Sequence, residues 1–176
     1  MKKFATLLFI FFVGCNCVFA KDDIMTLDLY NNHNKIASEK LYKFLLKSYG
    51  RPKCKINELW DITKENTLAN FVDLNDDGIP EIVGFTSALG WGGTMGTSLY
   101  VLKVNDKSEY ENIYYSAMFY PWLGIKILKE KTNKFCDIEI EGSYDTGKGK
   151  VSGVQKAGRF LVKFDGKIYN KSTLVK

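Results

Sequence analysis

The spacing of hydrophobic and polar positions changes once along this chain, near residue 66, from a helical pattern to a strand-like one. From Asn34 to Tyr49, apolar residues recur at helical spacing, and lysines and glutamates lie largely on the opposite side. Gly50 and Pro52 follow as a stop signal. The pattern predicts an amphipathic helix whose apolar stripe covers a sheet.

After Asn66 the chain alternates between short apolar segments and polar turns. The segments that predict strands are TLANFVDL, EIVGFTS, TSLYVLKV, NIYYSAMFY, LGIKILK, FCDIEIEG, GKVSGVQ and RFLVKFDGKIY. The last of them turns at Asp165-Gly166, a dipeptide typical of β-hairpins. Because short turns separate the strands and no second long helix intervenes, we predict an α+β fold, with the N-terminal amphipathic helix packed on an antiparallel β-meander.

Residues 1–20 have the pattern of a signal peptide. Two lysines precede an apolar run at residues 4–14, and Val18-Phe19-Ala20 fits a small-x-small cleavage site. The apolar run is shorter than the roughly 20 residues that span a bilayer. We therefore expect a single α+β domain at residues 21–176, periplasmic or secreted, with no transmembrane segment in the mature chain.

The cysteines carry two further expectations. The segment FVGC, ending at Cys15, resembles the lipobox of bacterial lipoproteins, with Phe12 in place of the usual leucine. The alternative to a soluble exported protein is thus an outer-membrane lipoprotein lipidated at Cys15. Cys54 and Cys136 remain in the mature chain, and an oxidising compartment favours one disulfide between them. Two separate buried thiols are the alternative.

Charge and histidine content narrow the function classes. Removing Lys2 and Lys3 takes the 25 basic residues to 23, against 20 acidic ones. This small, dispersed excess does not predict nucleic-acid binding. His33 is the only histidine, which rules out histidine-rich metal sites and argues against Ser-His-Asp or Cys-His catalysis. We predict no catalytic residues.

The densest group of oxygen-bearing side chains lies in FVDLNDDGIPEIVGF, Phe71 to Phe85. Counted from Asp73, side-chain oxygens fall at positions one, three, five and nine, and a glycine at position six permits a sharp turn. Calcium takes six to eight oxygen ligands, and alternate residues of a tight loop bring oxygens to one centre. The predicted ligands of a structural Ca²⁺ are Asp73, Asn75, Asp77, the Ile79 carbonyl and Glu81. An Asn/Asp-rich turn without metal is the alternative.

The spacing D-x-N-x-D-G-x-x-E between strands resembles the calcium loops of integrin-type FG-GAP and VCBS-like repeats. The resemblance implies that the metal rigidifies a β-hairpin at residues 73–81 and that Asp76 points outward. The helix–loop–helix calcium loop matches only in its first half, because position twelve is Gly84 rather than a glutamate.

A looser likeness covers more of the chain. The order DLNDDGIPEIV, a Gly-rich turn, SLYVLKV, IKILKEKTNKFCDIEI and LVKFDGKIY is similar to small exported bacterial proteins of unassigned function. That family often carries two cysteines in the Gly-rich turn, and the segment GWGGTMGTS has none.

Two other segments are candidates for recognition. The loop LGWGGTMGTSLY lacks the helix that a nucleotide-binding glycine loop requires, so Trp91 and Met95 are interpreted as an exposed tip that contacts a partner, or as parts of an ordinary hairpin loop. CDIEIEG places Asp137, Glu139 and Glu141 on one strand face, which is interpreted as a solvated face or as an acidic docking strip.

These observations favour an exported, non-enzymatic binding module of the cell envelope with a structural calcium loop. Its partner would be an unknown envelope protein or glycan. The first alternative is an inhibitor or immunity protein against a cell-wall-active, lysozyme-like enzyme. A carboxylate-dependent envelope hydrolase is the least favoured hypothesis.

Overall fold

The structure is a computed structural model that describes residues 24–49, 61–88, 97–121, 124–145 and 155–175. Within these ranges the chain forms one helix and nine strands, and every strand pairing is antiparallel. The elements are β1 (Ile24–Leu27), α1 (Lys35–Tyr49), β2 (Thr67–Val72), β3 (Glu81–Thr86), β4 (Thr97–Val104), β5 (Tyr110–Phe119), β6 (Ile125–Thr132), β7 (Phe135–Asp145), β8 (Gln155–Phe164) and β9 (Tyr169–Val175). The α+β class is thereby confirmed in its coarse form. The predicted signal peptide lies outside the described residues.

The strands form two arms of one hydrogen-bonded sheet. In the first arm, β2, β3, β4 and β5 follow one another in chain order, and in the second, β6 to β9 do the same with β1 added beside β6. The arms join where Phe119 of β5 pairs with Gly142 of β7. The predicted single meander is therefore interrupted after β5.

The chain between β5 and β6 accounts for this interruption. The Tyr120 amide still donates to the Glu141 carbonyl at 3.0 Å and extends the pairing with β7. Pro121 follows and has no amide hydrogen to continue the ladder. Gly124, with φ of 77°, then turns the chain into β6. The strand after the turn, β6, consequently pairs with β7 rather than back onto β5.

β3 and β4 are buried on both faces, which explains their nearly continuous apolar sequence. Side chains of alternate residues point to opposite faces of a strand. One set, with Val83, Phe85 and Val101, joins the large core shared with the second arm. The other set, with Ile82 and Leu102, joins a smaller core beneath α1.

The helix begins with a capping residue and covers the outer edge of the sheet. Asn34 Oδ1 accepts hydrogen bonds from the amides of Ile36 (2.9 Å) and Ala37 (3.1 Å). The amide of Asn34 donates to the Ala69 carbonyl, and the Ala69 amide donates to Ser38 Oγ, both at 2.9 Å. These bonds satisfy both backbone polar groups of Ala69 at the outer edge of β2, which would otherwise be open to pairing with another chain at this point.

Gly84 sets how closely α1 approaches the sheet. A Cβ atom at this position would lie 2.7 Å from Leu41 Cδ2 and 2.4 Å from the Ala69 Cβ. A side chain here would push the helix and β2 apart. Across the described ranges, no helix combines the length and the apolar character needed to cross a bilayer.

Candidate metal site

The acidic segment forms the turn between β2 and β3, and we call residues 73–81 the acidic turn. Val72 pairs with Glu81 at its base. Asp76 has φ of 59° and Gly78 has φ of 82°, so both lie in the left-handed region. Aspartate tolerates this conformation better than most residues and glycine adopts it without strain. The sequence therefore folds locally into a tight, twice left-handed turn.

Three predicted ligands fold back onto the backbone of the turn. Asp73 Oδ2 accepts the Gly78 amide at 2.9 Å, and Asn75 Oδ1 accepts the Asp77 amide at 3.0 Å. Asp77 Oδ1 accepts the Ile79 amide, and its Oδ2 accepts Asn75 Nδ2, both at 2.7 Å. The structure thus brings these side chains together over one short stretch of backbone. Bonds of this kind are also formed by Asn/Asp-rich turns that hold no metal.

Glu81 lies beneath the turn on the side of the large core. Its side chain is 2% exposed, and Oε2 accepts the Leu74 amide at 2.9 Å. Burial raises the pKa of the Glu81 carboxyl from 4.5 to about 7, and the negative charges of Asp77 and Asp73 contribute to the rise. The amide of Leu74 opposes it by stabilising the ionised form. Glu81 is therefore a buried carboxylate that lacks a basic partner among the described residues.

Asp73 carries the one unexplained oxygen of the acidic turn. Its Oδ1 is buried and has no hydrogen-bond partner. A buried carboxylate oxygen without a donor loses its hydration and gains nothing in return. In the described part of the chain, no group of three or more His, Cys, Asp or Glu side chains is arranged to hold a metal ion. The carboxylates of Asp73, Asp77 and Glu81 are thus not gathered around one centre in this structure, and the remaining predicted donors are the Asn75 amide and the Ile79 carbonyl.

The acidic turn also connects the two arms of the sheet. The Cys136 amide of β7 donates to the Leu74 carbonyl at 2.7 Å. On the exposed side of the turn, the Asp76 carboxylate forms an ion pair with Lys131 of β6. The hydrogen bond to Asp76 raises the pKa of Lys131 above its ordinary value. The acidic turn is therefore bonded to both strands of the β6–β7 hairpin.

The other predicted site residues have different outcomes. Cys136 is buried and has no disulfide partner among the described residues, and burial raises the pKa of its thiol. Its predicted partner Cys54 lies outside the described residues, so the disulfide stays a prediction. Trp91, Met95 and Cys15 also lie outside them.

The interpretation of the β7 acidic residues as a solvated face is wrong for the two that pack against β6 and β8. Asp137 is 2% exposed and lies 3.3 Å from Lys163 Nζ. Glu139 Oε1 lies 2.7 Å from Lys126 Nζ and 3.5 Å from an Arg159 nitrogen. Basic side chains of the neighbouring strands cover Asp137 and Glu139, and only the pairing of the strands could reveal this.

Sequence reasoning missed a cavity on the helix side of the first arm. It lies between α1 and the turn joining β4 to β5, is open to solvent and has a volume of about 280 Å³. Its walls lie more than 60 positions apart in the chain, as the contact between Lys47 and Glu109 illustrates. Clustered lysines on the polar face of α1 were the only available signal, and they equally fit a solvated surface.

Comparison of the chain with protein-family models, with curated proteins and with solved structures finds no match.

Proposed function

We propose that this chain is an exported, non-enzymatic binding module of the bacterial envelope, with a Ca²⁺ ion as a structural cofactor of the acidic turn. The module is an α+β domain in which the N-terminal helix covers an antiparallel sheet. The observation that carries the calcium proposal is the buried, unpartnered Oδ1 of Asp73. It lies in the same turn as the buried carboxyl of Glu81.

The charge balance of the acidic turn supports a cation. Asp73, Asp77 and Glu81 are three carboxyl groups in a nine-residue segment. Two such charges about 5 Å apart repel by roughly 3 kcal/mol at an effective dielectric constant near 20. A divalent ion would replace this repulsion by attraction. Calcium is the favoured ion because every donor in the set is oxygen.

The hydrogen bonds within the turn are compatible with this role. An ionised carboxylate has about four lone-pair sites, so Asp73 and Asp77 can accept an amide and still coordinate an ion. The side chains that would hold the ion are Asp73, Asn75, Asp77 and Glu81, with the carbonyl of Ile79. Bound calcium would supply positive charge and rigidity to the turn and, through Leu74 and Cys136, to the junction between the arms.

The non-enzymatic part of the proposal rests on the available chemistry. The chain has one histidine, His33, which is exposed ahead of α1. Of the carboxylates on β7, Asp137 and Glu139 are held by basic side chains of adjacent strands. The export part of the proposal rests on the signal-peptide pattern of residues 1–20.

Calorimetric titration with CaCl₂ tests the metal site. The wild-type chain should show saturable binding, and Asp77→Ala should abolish it. The matched control is Asp76→Asn, because Asp76 belongs to the same turn but pairs outward with Lys131. This variant should still bind calcium. A flat wild-type titration, or equal losses in both variants, would rule out the proposed site.

Retention of envelope components tests the binding role separately. The immobilised protein should retain a defined protein or glycan from solubilised envelopes, and Trp91→Ala should lose it without a change in melting temperature. Turnover of a glycan or ester substrate that disappears on mutating one carboxylate would instead establish an enzyme.

A further inference from the structure

A second concave site, here called the α1 groove, lies between α1 and the β4–β5 turn. It is open to solvent, has a volume of about 280 Å³ and is lined by Lys40, Lys43, Phe44, Lys47, Ser108, Glu109 and Tyr110. The four helix residues are spaced i, i+3, i+4 and i+7, so they share one face of α1. Three of these four residues are lysines, which makes the groove a cationic surface.

The wall opposite the helix is held in shape by a rigid turn. Asn105 Oδ1 accepts the amides of Lys107 at 2.9 Å and Glu109 at 3.0 Å. The Asn105 amide also donates to the Glu109 carbonyl at 2.8 Å, and Ser108 adopts a left-handed φ of 60°. Such a preorganised wall loses little conformational freedom when a ligand binds.

Lys40 is the cation in the groove whose charge is not neutralised. Its Nζ donates to Tyr110 Oη at 3.0 Å and lies 5.3 Å from the Tyr110 ring centroid and 5.4 Å from that of Phe71. The two ring contacts are cation–π interactions, and together with the hydrogen bond they hold the ammonium group in place. Among the described residues Lys40 has no ion-pair partner.

The other lysines of the groove form only exposed ion pairs. Lys43 Nζ lies 3.1 Å from Glu39, and Lys47 Nζ lies 3.2 Å from Glu109. Glu39 is shared with Lys64 at 3.5 Å. With Lys40 and the flanking Lys64 included, four ammonium groups share two carboxylates, those of Glu39 and Glu109. Exposed ion pairs of this kind contribute little to stability and exchange readily. The surface keeps a net positive charge.

The floor of the groove is apolar. Phe44 and Tyr110 are half-buried and pack against the core beneath α1. Sites for a whole drug-sized ligand are typically about 300–1,000 Å³ and bury most of the ligand surface, whereas this groove has about 280 Å³ and is open to solvent. A site of this size therefore suits one or two side chains of a larger partner better than a complete small molecule.

We propose that the α1 groove binds an acidic peptide segment of a partner protein. A carboxylate of that segment accepts hydrogen bonds from Lys40, and an adjacent apolar side chain packs on Phe44 and Tyr110. Charge complementarity selects the acidic residue, and the aromatic floor selects its apolar neighbour. The inference does not depend on calcium binding at the acidic turn.

The test uses the full chain and a displayed library of random heptapeptides. Enriched peptides should carry a net negative charge and place Asp or Glu beside an apolar residue. Their affinity, measured by calorimetry, should fall about tenfold in Lys40→Gln, the factor expected for losing a charge-assisted hydrogen bond. Lys40→Arg should retain most of the affinity because the positive charge remains.

Two further variants separate specific binding from general attraction. Glu109→Gln removes the competing carboxylate from Lys47, so affinity should rise several-fold. Lys167→Gln changes the net charge as much as Lys40→Gln but lies in the exposed β8–β9 turn, and it should leave affinity unchanged. Circular dichroism melting of each variant confirms that it is folded.

Three results would overturn the proposal. The first is a selected peptide set without acidic bias. The second is an equal loss of affinity in Lys40→Gln and Lys167→Gln. The third is binding of dextran sulfate, which is anionic but offers no apolar side chain, as tight as that of the selected peptides.

Discussion

Two turns of this molecule begin with an aspartate and contain a left-handed glycine, yet they differ in what their carboxylates do. In the β8–β9 turn, Asp165 Oδ1 accepts the amides of Lys167 (2.8 Å) and Ile168 (2.9 Å), and Oδ2 accepts Asn170 Nδ2 at 2.7 Å. These bonds lower the pKa of Asp165. In the acidic turn, by contrast, Asp73 leaves one buried oxygen unpartnered, and the pKa of Glu81 is raised.

The difference comes from packing rather than from turn chemistry. The β8–β9 turn is exposed, so its carboxylate needs only local amides and water. The acidic turn packs against the second arm, where the Cys136 amide donates a hydrogen bond to the Leu74 carbonyl. Asn, Asp and Gly therefore predict a turn in both places, and the buried oxygen of Asp73 without a hydrogen-bond donor distinguishes the acidic turn from the β8–β9 turn.

The largest expected effect is a dependence of stability on pH between pH 5 and pH 8, which comes from the acidic turn and not from Asp165, whose lowered pKa lies below this window. Because the folded-state pKa of Glu81 is about 7 and its ordinary value is 4.5, the stabilisation from its protonated form is present at pH 4.5 and below and is lost as pH rises through 7. In chelator, unfolding by urea at pH 5 and pH 8 should reveal on the order of 3 kcal/mol from this group. Glu81→Gln should flatten the dependence. A wild-type profile equally flat would show that Glu81 ionises normally.

Calcium should stabilise the wild-type protein by nearly as much. At 100 times its dissociation constant, the ion adds about 2.7 kcal/mol to the free energy of unfolding. Asp73→Asn should lose most of this gain, and Asp165→Asn should keep it, because only the first residue belongs to the proposed site. Thermal melts in calcium and in chelator measure both. Equal calcium responses of the two variants would mean that calcium does not bind specifically at the acidic turn.

A smaller effect should mark the β8–β9 turn. Asp165→Ala removes the acceptor of three hydrogen bonds in an exposed setting. We expect the melting temperature to fall by about 3 °C. The fall should be the same with and without calcium. A calcium-dependent fall would link the two turns in a way that the structure does not suggest.

The smallest effect concerns the ion pair between Asp76 and Lys131, on the exposed side of the acidic turn. Asp76→Asn keeps the left-handed preference of the residue and removes its charge. Because the Asp76 side chain is 69% exposed, we expect a change of less than about 1 kcal/mol in the free energy of unfolding. A double-mutant cycle with Lys131→Gln isolates the pair. A coupling several times larger would mean that the contact, rather than the buried oxygens, holds the turn against the second arm.

Local features of the fold were predictable from the chain. The helical pattern from Asn34 to Tyr49 matches α1 at Lys35–Tyr49, with Asn34 as its cap. The Asp165-Gly166 dipeptide turns between β8 and β9, as the hairpin pattern predicts. Both depend on residues within a few positions of one another, so the sequence contains all the information that they need.

Non-local features were not predictable in the same way. The pairing of β5 with β7, the cover over Asp137 and the α1 groove each join segments far apart in the chain. Strand alternation assigns a residue to a face, but it does not say which strand lies alongside. For that reason the interpretation of the β7 acidic residues as a solvated face is wrong for Asp137 and Glu139.

The sequence by itself determined the helix, the turns and the grouping of oxygen donors at residues 73–81, because spacing along the backbone suffices for each. Only the tertiary structure decided that Glu81 and one oxygen of Asp73 are buried while Asp165 is not. Burial is set by the strands that pack against a turn, and the cost of an unpartnered charge depends on that burial more than on the residue that carries it.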